Sequence, residues 1–419
     1  MTRSTMFKLC IVTHSYPRFD GDWRSNFIES LARSYARNGA DVTVFVPYAI
    51  RFEREPVDAE GVKIVSYRYL PFRSLHTIGY GHSMKSDLKI DPWHLLIMPF
   101  LLIIGIVRFA ILLRREKFDL IQAHWAVPNA LIAVFGRALV FSPAKIFTSF
   151  PGSDVTVITQ LGWFGKLLGR IIARSDFLSC NSSDLKEDLV KAGLAEEKID
   201  FVIYGVDDER IRFSEEGRAA LRNSWNVSDD ETVLLLIGRF VPKKGFSAAF
   251  RAMKYIAEHT KHVKLIVVGD GPLKDEYLSI LENDRTGSFV KFIGEIPTPE
   301  LGNFYSACDI FLMPSRRLPS DGLNVVVPEA MACARPIVAS HVGGNDLVVF
   351  DGFNGYLHEE NDPKQLAECV VRLIKDPAKR KELGDHSLKL VRERFTWRAI
   401  TNRYLATYRE TVSRENGRS

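Results

Sequence analysis

Short runs of consecutive apolar residues, rich in Val, Ile, Leu and Phe, recur along the chain between longer segments whose apolar positions return every three or four residues. The runs are KLCIVTH, DVTVFVP, VKIVSYR, DLIQAHW, KIFTSF and DFLSCNS, then FVIYGVD, TVLLLIG, KLIVVGD, VKFIG, DIFLMPS and PIVAS. Strands without a polar face must be covered on both sides, as in a parallel sheet with helices on each face. The pattern therefore predicts an α/β protein of two doubly wound parallel-sheet domains, one over residues 1–205 and one over 206–394. The boundary falls near Gly205 and Val206, where a strand gives way to the charged segment DDERIRFSEEGR. The closing segment, residues 395–419, places Trp397, Ile400, Tyr404, Leu405 and Tyr408 on one helical face, which predicts a helix that crosses back and docks on apolar surface.

Length agrees with this division, because a single core rarely grows past about 250–300 residues and the chain has 419. A composition of 46% hydrophobic and 26% charged residues excludes a disordered or collagen-like chain. The five cysteines, Cys10, Cys180, Cys308, Cys333 and Cys369, show neither CxxC nor metal-ligand spacing, which suits buried thiols in a reducing, cytoplasmic setting. The start, MTRSTMFKLCIVTHSYP, reads as a first strand and not as a signal peptide. The net charge of +5 comes entirely from residues 1–205. This excess fits peripheral contact with an anionic membrane at its inner face, an anionic acceptor, or equally a solvated basic face with no partner, while the lack of a compact basic and aromatic stretch argues against nucleic acid. The apolar stretch from Leu95 to Leu113 contains Pro99, Gly105 and Arg108. With about 20 apolar residues needed to cross a bilayer, it is expected to be a core or interfacial helix packed on the following strand, FDLIQAHW.

Candidate chemistry gathers after the strands of the second half. In TVLLLIGRFVPKKGFSAAF a strand ends at Gly238 and is followed by Arg239 and then Lys244, a planar fork and a point charge suited to a diphosphate. KLIVVGDGP sets Gly271 in a tight turn beside a ligand, and VKFIGEIP brings Ile296 to the same rim, where backbone groups read a nucleobase edge. In DIFLMPSRRLPSDGLNVVVPEAMACARPIVAS a polar loop leads through Asp321, Gly322, Leu323 and Asn324 to a helix from about Val325 to Cys333. The free amides at its start and the small Gly322 suit an anion. Asp321 and Glu329 stand about two helical turns apart if the helix extends back, acceptors for two hydroxyl-bearing groups such as a sugar and a ribose.

With these residues in place the sequence resembles the retaining glycosyltransferases of family 4, of GT-B fold, over most of residues 1–410. Gly238, Arg239 and Lys244 match that family's site for the donor diphosphate, and Asp321 and Glu329 match its pair of Glu residues with seven residues between them. The resemblance implies two Rossmann-like domains facing a central cleft and a nucleoside diphosphate sugar as co-substrate, with no permanently bound cofactor and no metal. It further implies that Glu329 holds the donor ribose, Asp321 touches the transferred sugar, and Arg239 and Lys244 neutralise the leaving diphosphate. Gly21 stands where relatives carry Gly-Gly near the donor. His124, ending LIQAH, and Asp154, in TSFPGSDVTVI, fall on the acceptor side. The implied acceptor is lipid-linked or a polysaccharide, in cell-envelope or exopolysaccharide synthesis.

Three positions depart from the family: Asp321 replaces Glu, Pro151 stands where relatives carry His, and Leu347 stands where they carry Glu, with Asp346 one place early. Pro151 and Asp321 together support an alternative, a non-catalytic sugar-nucleotide-binding partner that keeps the fold. A phosphorylase or a sugar-nucleotide epimerase of the same fold is a third, smaller alternative.

Overall fold

The computed structural model describes residues 7–19, 22, 25–78, 84–86, 89–90, 92–317 and 322–416. Gly21 and Asp321 lie outside the described residues. The chain divides into two compact units: one formed by residues 1–181, 185–202 and 400–419, the other by 182–184 and 203–399.

In the first unit, strands β1 (Lys8–Val12), β2 (Asp41–Pro47), β3 (Lys63–Tyr67), β6 (Leu120–His124), β7 (Lys145–Phe150), β8 (Phe177–Cys180) and β9 (Ile199–Phe201) form one seven-stranded parallel sheet, ordered β3-β2-β1-β6-β7-β8-β9. A small antiparallel pair, β4 (Met84–Ser86) with β5 (Lys89–Ile90), stands apart from it. The connections are α1 (Asn26–Arg37), α2 (Pro92–Arg115), α3 (Leu131–Val140), α4 (Ser153–Gln160), α5 (Gly162–Ile172) and α6 (Ser183–Lys191). Right-handed crossovers put α2, α3, α5 and α6 on one face of the sheet and α1 on the other. The core agrees: Cys10, Val12, Phe45, Ile121 and Ile146 pack with Leu101 and Phe109 of α2, Ile132 of α3, Leu168 of α5 and Leu185 of α6.

The sheet of the second unit is six-stranded and parallel: β10 (Thr232–Ile237), β11 (Val263–Val268), β12 (Val290–Gly294), β13 (Ile310–Met313), β14 (Ile337–Ser340) and β15 (Gly355–His358), ordered β12-β11-β10-β13-β14-β15. Helices α7 (Glu215–Ser224), α8 (Phe246–His259), α9 (Lys274–Asn283), α10 (Leu301–Ala307), α11 (Val326–Ala332), α12 (Pro363–Lys375) and α13 (Pro377–Leu390) surround it. Asp362 and Asp376 each cap a helix whose first residue is proline, accepting from the amides of Gln365 at 2.9 Å and Lys379 at 2.8 Å. Every residue of β10 is buried, as its uninterrupted apolar run requires.

The chain enters and leaves the second unit at one place. Val206 donates its amide to the Phe395 carbonyl at 2.8 Å, and Trp397 donates back to Val206 at 3.2 Å. Helix α14 (Trp397–Asn416) then carries residues from Ile400 onward into the first unit. There Tyr404 packs edge-on to Phe147 at 4.8 Å, Tyr408 meets Phe7 at 4.8 Å, and Thr401 is hydrogen-bonded to Ser34 at 3.0 Å and Asn38 at 2.8 Å.

Two details differ from the sequence reading. FVIYGVD contributes only its first residue to a strand, because β9 ends at Phe201 and the residues after it run irregularly into the second unit. Conversely GYLH, with a single aliphatic side chain, forms β15, whose place is set by its ladder to β14 and by Gly355, where a Cβ would strike the Ile337 carbonyl oxygen.

Candidate functional site

In doubly wound sheets ligands sit beyond the carboxyl ends of the strands, where the strand order reverses. In the second unit that point lies between β10 and β13. The segment after β10 runs through Gly238, exposed Arg239 and a single helical turn, Pro242–Lys244, into α8. Gly245 begins that helix at a φ of 64°, and a Cβ there would collide with the Pro314 carbonyl oxygen at the end of β13. The two loops that bracket the switch point thus touch backbone to backbone, and the Arg316 amide donates to the Lys243 carbonyl at 2.8 Å.

Across this junction Lys244 donates through Nζ to Oδ1 of Asn324, and Asn324 donates through Nδ2 to Oγ of fully buried Ser315 at 3.1 Å. Ser340, ending β14, bonds the Ser315 carbonyl at 2.7 Å, and Asn345 bonds the Ser340 carbonyl at 3.0 Å. A polar relay therefore ties the ammonium of Lys244 to the ends of β13 and β14, fixing where its charge lies.

Glu329 sits on α11, close after this loop. Its Oε2 accepts a 2.6 Å hydrogen bond from the phenol of Tyr305, which is fully buried on α10. Burial raises the Glu329 carboxyl to about 7, with the Tyr305 bond working the other way; burial also pushes the Tyr305 phenol well above its ordinary value. Near neutral pH the site therefore holds a carboxyl balanced between its two forms.

The structure brings Gly238, Arg239, Lys244, Gly271, Ile296, Gly322, Leu323, Asn324 and Val325 together along the carboxyl edge of one sheet, with Glu329 a turn further on. Their surroundings differ. Gly271 needs to be glycine because of the protein itself: at a φ of 155° its Cβ would lie 2.8 Å from the backbone nitrogen and oxygen of Phe240. Ile296 is half-buried, Gly322 and Leu323 are buried, and Val325 is exposed. Helix α11 starts at Val326, so the segment before it is not helical.

His124 and Asp154 belong to the first unit. The His124 side chain is fully buried, and burial lowers its pKa to about 3, leaving a neutral ring. Asp154, also buried, accepts the Ala126 amide at 2.7 Å and the Gly152 amide at 3.2 Å. It therefore clasps the loops that follow β6 and β7. Its carboxyl is raised to about 6 by burial, against those backbone bonds.

Two residues with a part in these arrangements were not singled out by the sequence. Tyr305 is 24 residues from Glu329 on another helix, and no local motif links them. His14 stands two residues after β1, at the switch point between β1 and β6, and its Nδ1 lies 3.0 Å from the Asn129 amide nitrogen while its ring packs on Trp125 at 4.5 Å. Burial lowers it to about 4. Its position at the end of the first apolar run was the available signal.

A Rossmann-ordered sheet with an Arg, a Lys and a half-buried carboxyl near its switch point, in a chain that forms a second parallel-sheet unit, is the architecture of GT-B glycosyltransferases. Two family models agree: Glycosyltransferase Family 4 matches residues 25–210, and Glycosyl transferases group 1 matches 217–389. The chain belongs to this glycosyltransferase family and is a transferase enzyme. It is similar to an N-acetyl-alpha-D-glucosaminyl L-malate synthase of Bacillus anthracis, 27% identical over 302 residues covering 71% of this chain and 76% of that one. It is also similar to a GDP-mannose-dependent monoacylated alpha-(1-6)-phosphatidylinositol monomannoside mannosyltransferase of Corynebacterium glutamicum, 28% identical over 70% of this chain and 76% of that one. Among solved structures, Anabaena HepE in complex with UDP shares the fold at a TM-score of 0.71 with 18% identity, covering 96% of this chain and all of that one.

Proposed function

We propose that the protein transfers a sugar, with retention of configuration, from a nucleoside diphosphate sugar to a lipid-linked or saccharide acceptor in cell-envelope or exopolysaccharide synthesis. The observation that carries this reading is the Lys244–Asn324–Ser315 relay at the switch point, which holds one cation in place in the same loop that carries a second, Arg239. The names of the relatives support it: one uses GDP-mannose and a phosphatidylinositol mannoside, and a protein of the same fold binds UDP.

In the reaction the bond from the anomeric carbon to the diphosphate oxygen breaks and its electron pair stays on the diphosphate. The acceptor hydroxyl oxygen forms the new glycosidic bond, and its proton ends on the departing diphosphate. Negative charge grows on the leaving group, and Lys244 and Arg239 stabilise it in the role a metal ion plays in other transferases. A pre-positioned ammonium costs no reorganisation at that moment, which is what the relay through Asn324 supplies. Glu329, with Tyr305 holding Oε2, accepts the ribose hydroxyls. Asp321 touches the transferred sugar; His124 and Asp154 shape the acceptor side. We place the reaction on the cytoplasmic side, supported by five buried cysteines, none in a disulfide among the described residues, and by the nucleotide-sugar donor.

Titration calorimetry with nucleoside diphosphates tests the donor site. Glu329→Ala is expected to weaken binding by more than about tenfold, or about 1.4 kcal/mol. Unchanged affinity would remove Glu329 from the donor site.

A further inference from the structure

We propose that the outer sides of α2, α3 and α5 form one surface by which the protein docks on an anionic lipid bilayer, lying against it and not crossing it. The topology makes these helices neighbours: all three lie on the same face of the seven-stranded sheet, α2 packed on α3 and α3 on α5. Each also runs antiparallel to the strands, so its first turns lie toward the carboxyl edge, where a ligand of this unit binds.

The outward sides are apolar where they should be polar. On α2, Phe100, Ile103 (62% exposed) and Val107 follow one another at spacings of three and four. On α3, Leu139 is exposed, and on α5 Trp163 (77%) and Leu167 are exposed. Single exposed apolar side chains need no explanation, but a layer of three adjacent helices that all do this marks an interaction surface. No described residue covers these side chains.

Charge identifies the occupant. None of the three helices contains Asp or Glu, whereas Arg108, Arg114 and Arg115 on α2 and Lys166 and Arg170 on α5 are all exposed. A second copy of the same surface would bring like charges together at a two-fold interface, while anionic headgroups complement them. Apolar side chains flanked by basic ones, on helices lying flat, are the composition of interfacial helices.

Helix α2 is long and apolar enough to cross a membrane over Leu96–Arg115. Its inner side is nonetheless committed to the unit. Leu101 and Phe109 are fully buried in the core, and a Cβ at Gly105 would come within 2.8 Å of Ile132, one at Gly136 within 2.7 Å of Phe109. Moving α2 into lipid would remove the covering of the sheet, so only the outer side is available to a bilayer.

The test is sedimentation of the full-length protein, without donor, on phosphatidylcholine vesicles with and without phosphatidylglycerol, so its outcome is independent of any transfer activity. The protein is expected to sediment with the phosphatidylglycerol vesicles and to lose about tenfold in partitioning in the Ile103→Asp/Trp163→Asp variant and in Arg108→Glu/Lys166→Glu. Melting temperature and nucleoside diphosphate binding should stay at the wild-type values, which separates lost docking from lost folding. Equal binding to vesicles without anionic lipid, no binding to either, or a dimer in solution that these substitutions dissociate would each overturn the proposal. So would resistance of membrane-bound protein to alkaline carbonate extraction, the behaviour of a spanning helix.

Discussion

Glu329 and Lys244 are held by different physics, and their variants should separate. Lys244 has its charge positioned by Asn324; if it bears on the leaving diphosphate as proposed, Lys244→Ala should lower kcat more than it raises the KM for donor. Equal losses would make it a binding group only. Glu329 is raised by burial to about 7 from an ordinary value near 4.5. In the folded state it therefore keeps a proton that the unfolded chain gives up, and stability falls as pH rises from about 4.5 to about 7. The effect is at most about 3 kcal/mol at 1.36 kcal/mol per unit, and Glu329→Gln should flatten that part of the stability curve relative to wild type. Because an ionised carboxylate accepts from hydroxyls more strongly than a neutral carboxyl does, donor affinity should climb as pH passes through about 7 if Glu329 holds the ribose as proposed. Tyr305→Phe removes the bond that favours the carboxylate, so the midpoint of that climb should move to higher pH; an unmoved midpoint would show that the phenol does not act on Glu329. The positions of Arg239, Lys244 and Asn324 after their strands were legible in the sequence, because strand ends and loop composition mark them, and that of Glu329 because it lies on the helix that follows the loop. Tyr305 was not, since its role comes from a helix packing across α11 that no spacing encodes.

Among the elements, the second sheet depends on contacts at both strand ends. At its amino edge the Asp309 carboxylate, despite its burial, is held below its usual range by Arg218, the Val233 amide at 2.8 Å and Arg222 at 3.0 Å. Asp309→Ala would leave two guanidinium groups without their shared anion and is expected to cost about 3–5 kcal/mol in denaturant melts; a loss under about 1 kcal/mol would show this cluster to be dispensable. At the carboxyl edge, Gly245→Ala meets both a positive φ and the Pro314 carbonyl. It should lower stability and displace Lys244 together, a double effect that a solvent-exposed glycine would not have. The twelve apolar runs read as strands were mostly correct because a strand buried on both faces has no freedom in composition. The one run misread, FVIYGVD, is apolar yet continues irregularly into the second unit, and the strand GYLH went unread because it pairs through its backbone with little apolar content of its own.

For the whole molecule, the last helix closes the first unit with residues that are last in the chain. Ile400, Tyr404 and Leu405 are buried there, as their shared helical face led one to expect. Tyr404→Ala should cost about 3–5 kcal/mol and lower the melting of the first unit, with nucleotide binding to the second unit retained. On the proposed function, the protein moves a sugar off a nucleoside diphosphate. The most direct test incubates the wild-type protein and Lys244→Ala with a panel of nucleoside diphosphate sugars, with and without a membrane extract as the source of acceptor, and measures released nucleoside diphosphate. Release of one nucleotide that rises with extract and is lost in Lys244→Ala is the predicted result. Tight binding of a donor with no release under any condition would contradict it, and would make Pro151 and Asp321 the residues through which a binding protein kept the fold without the reaction.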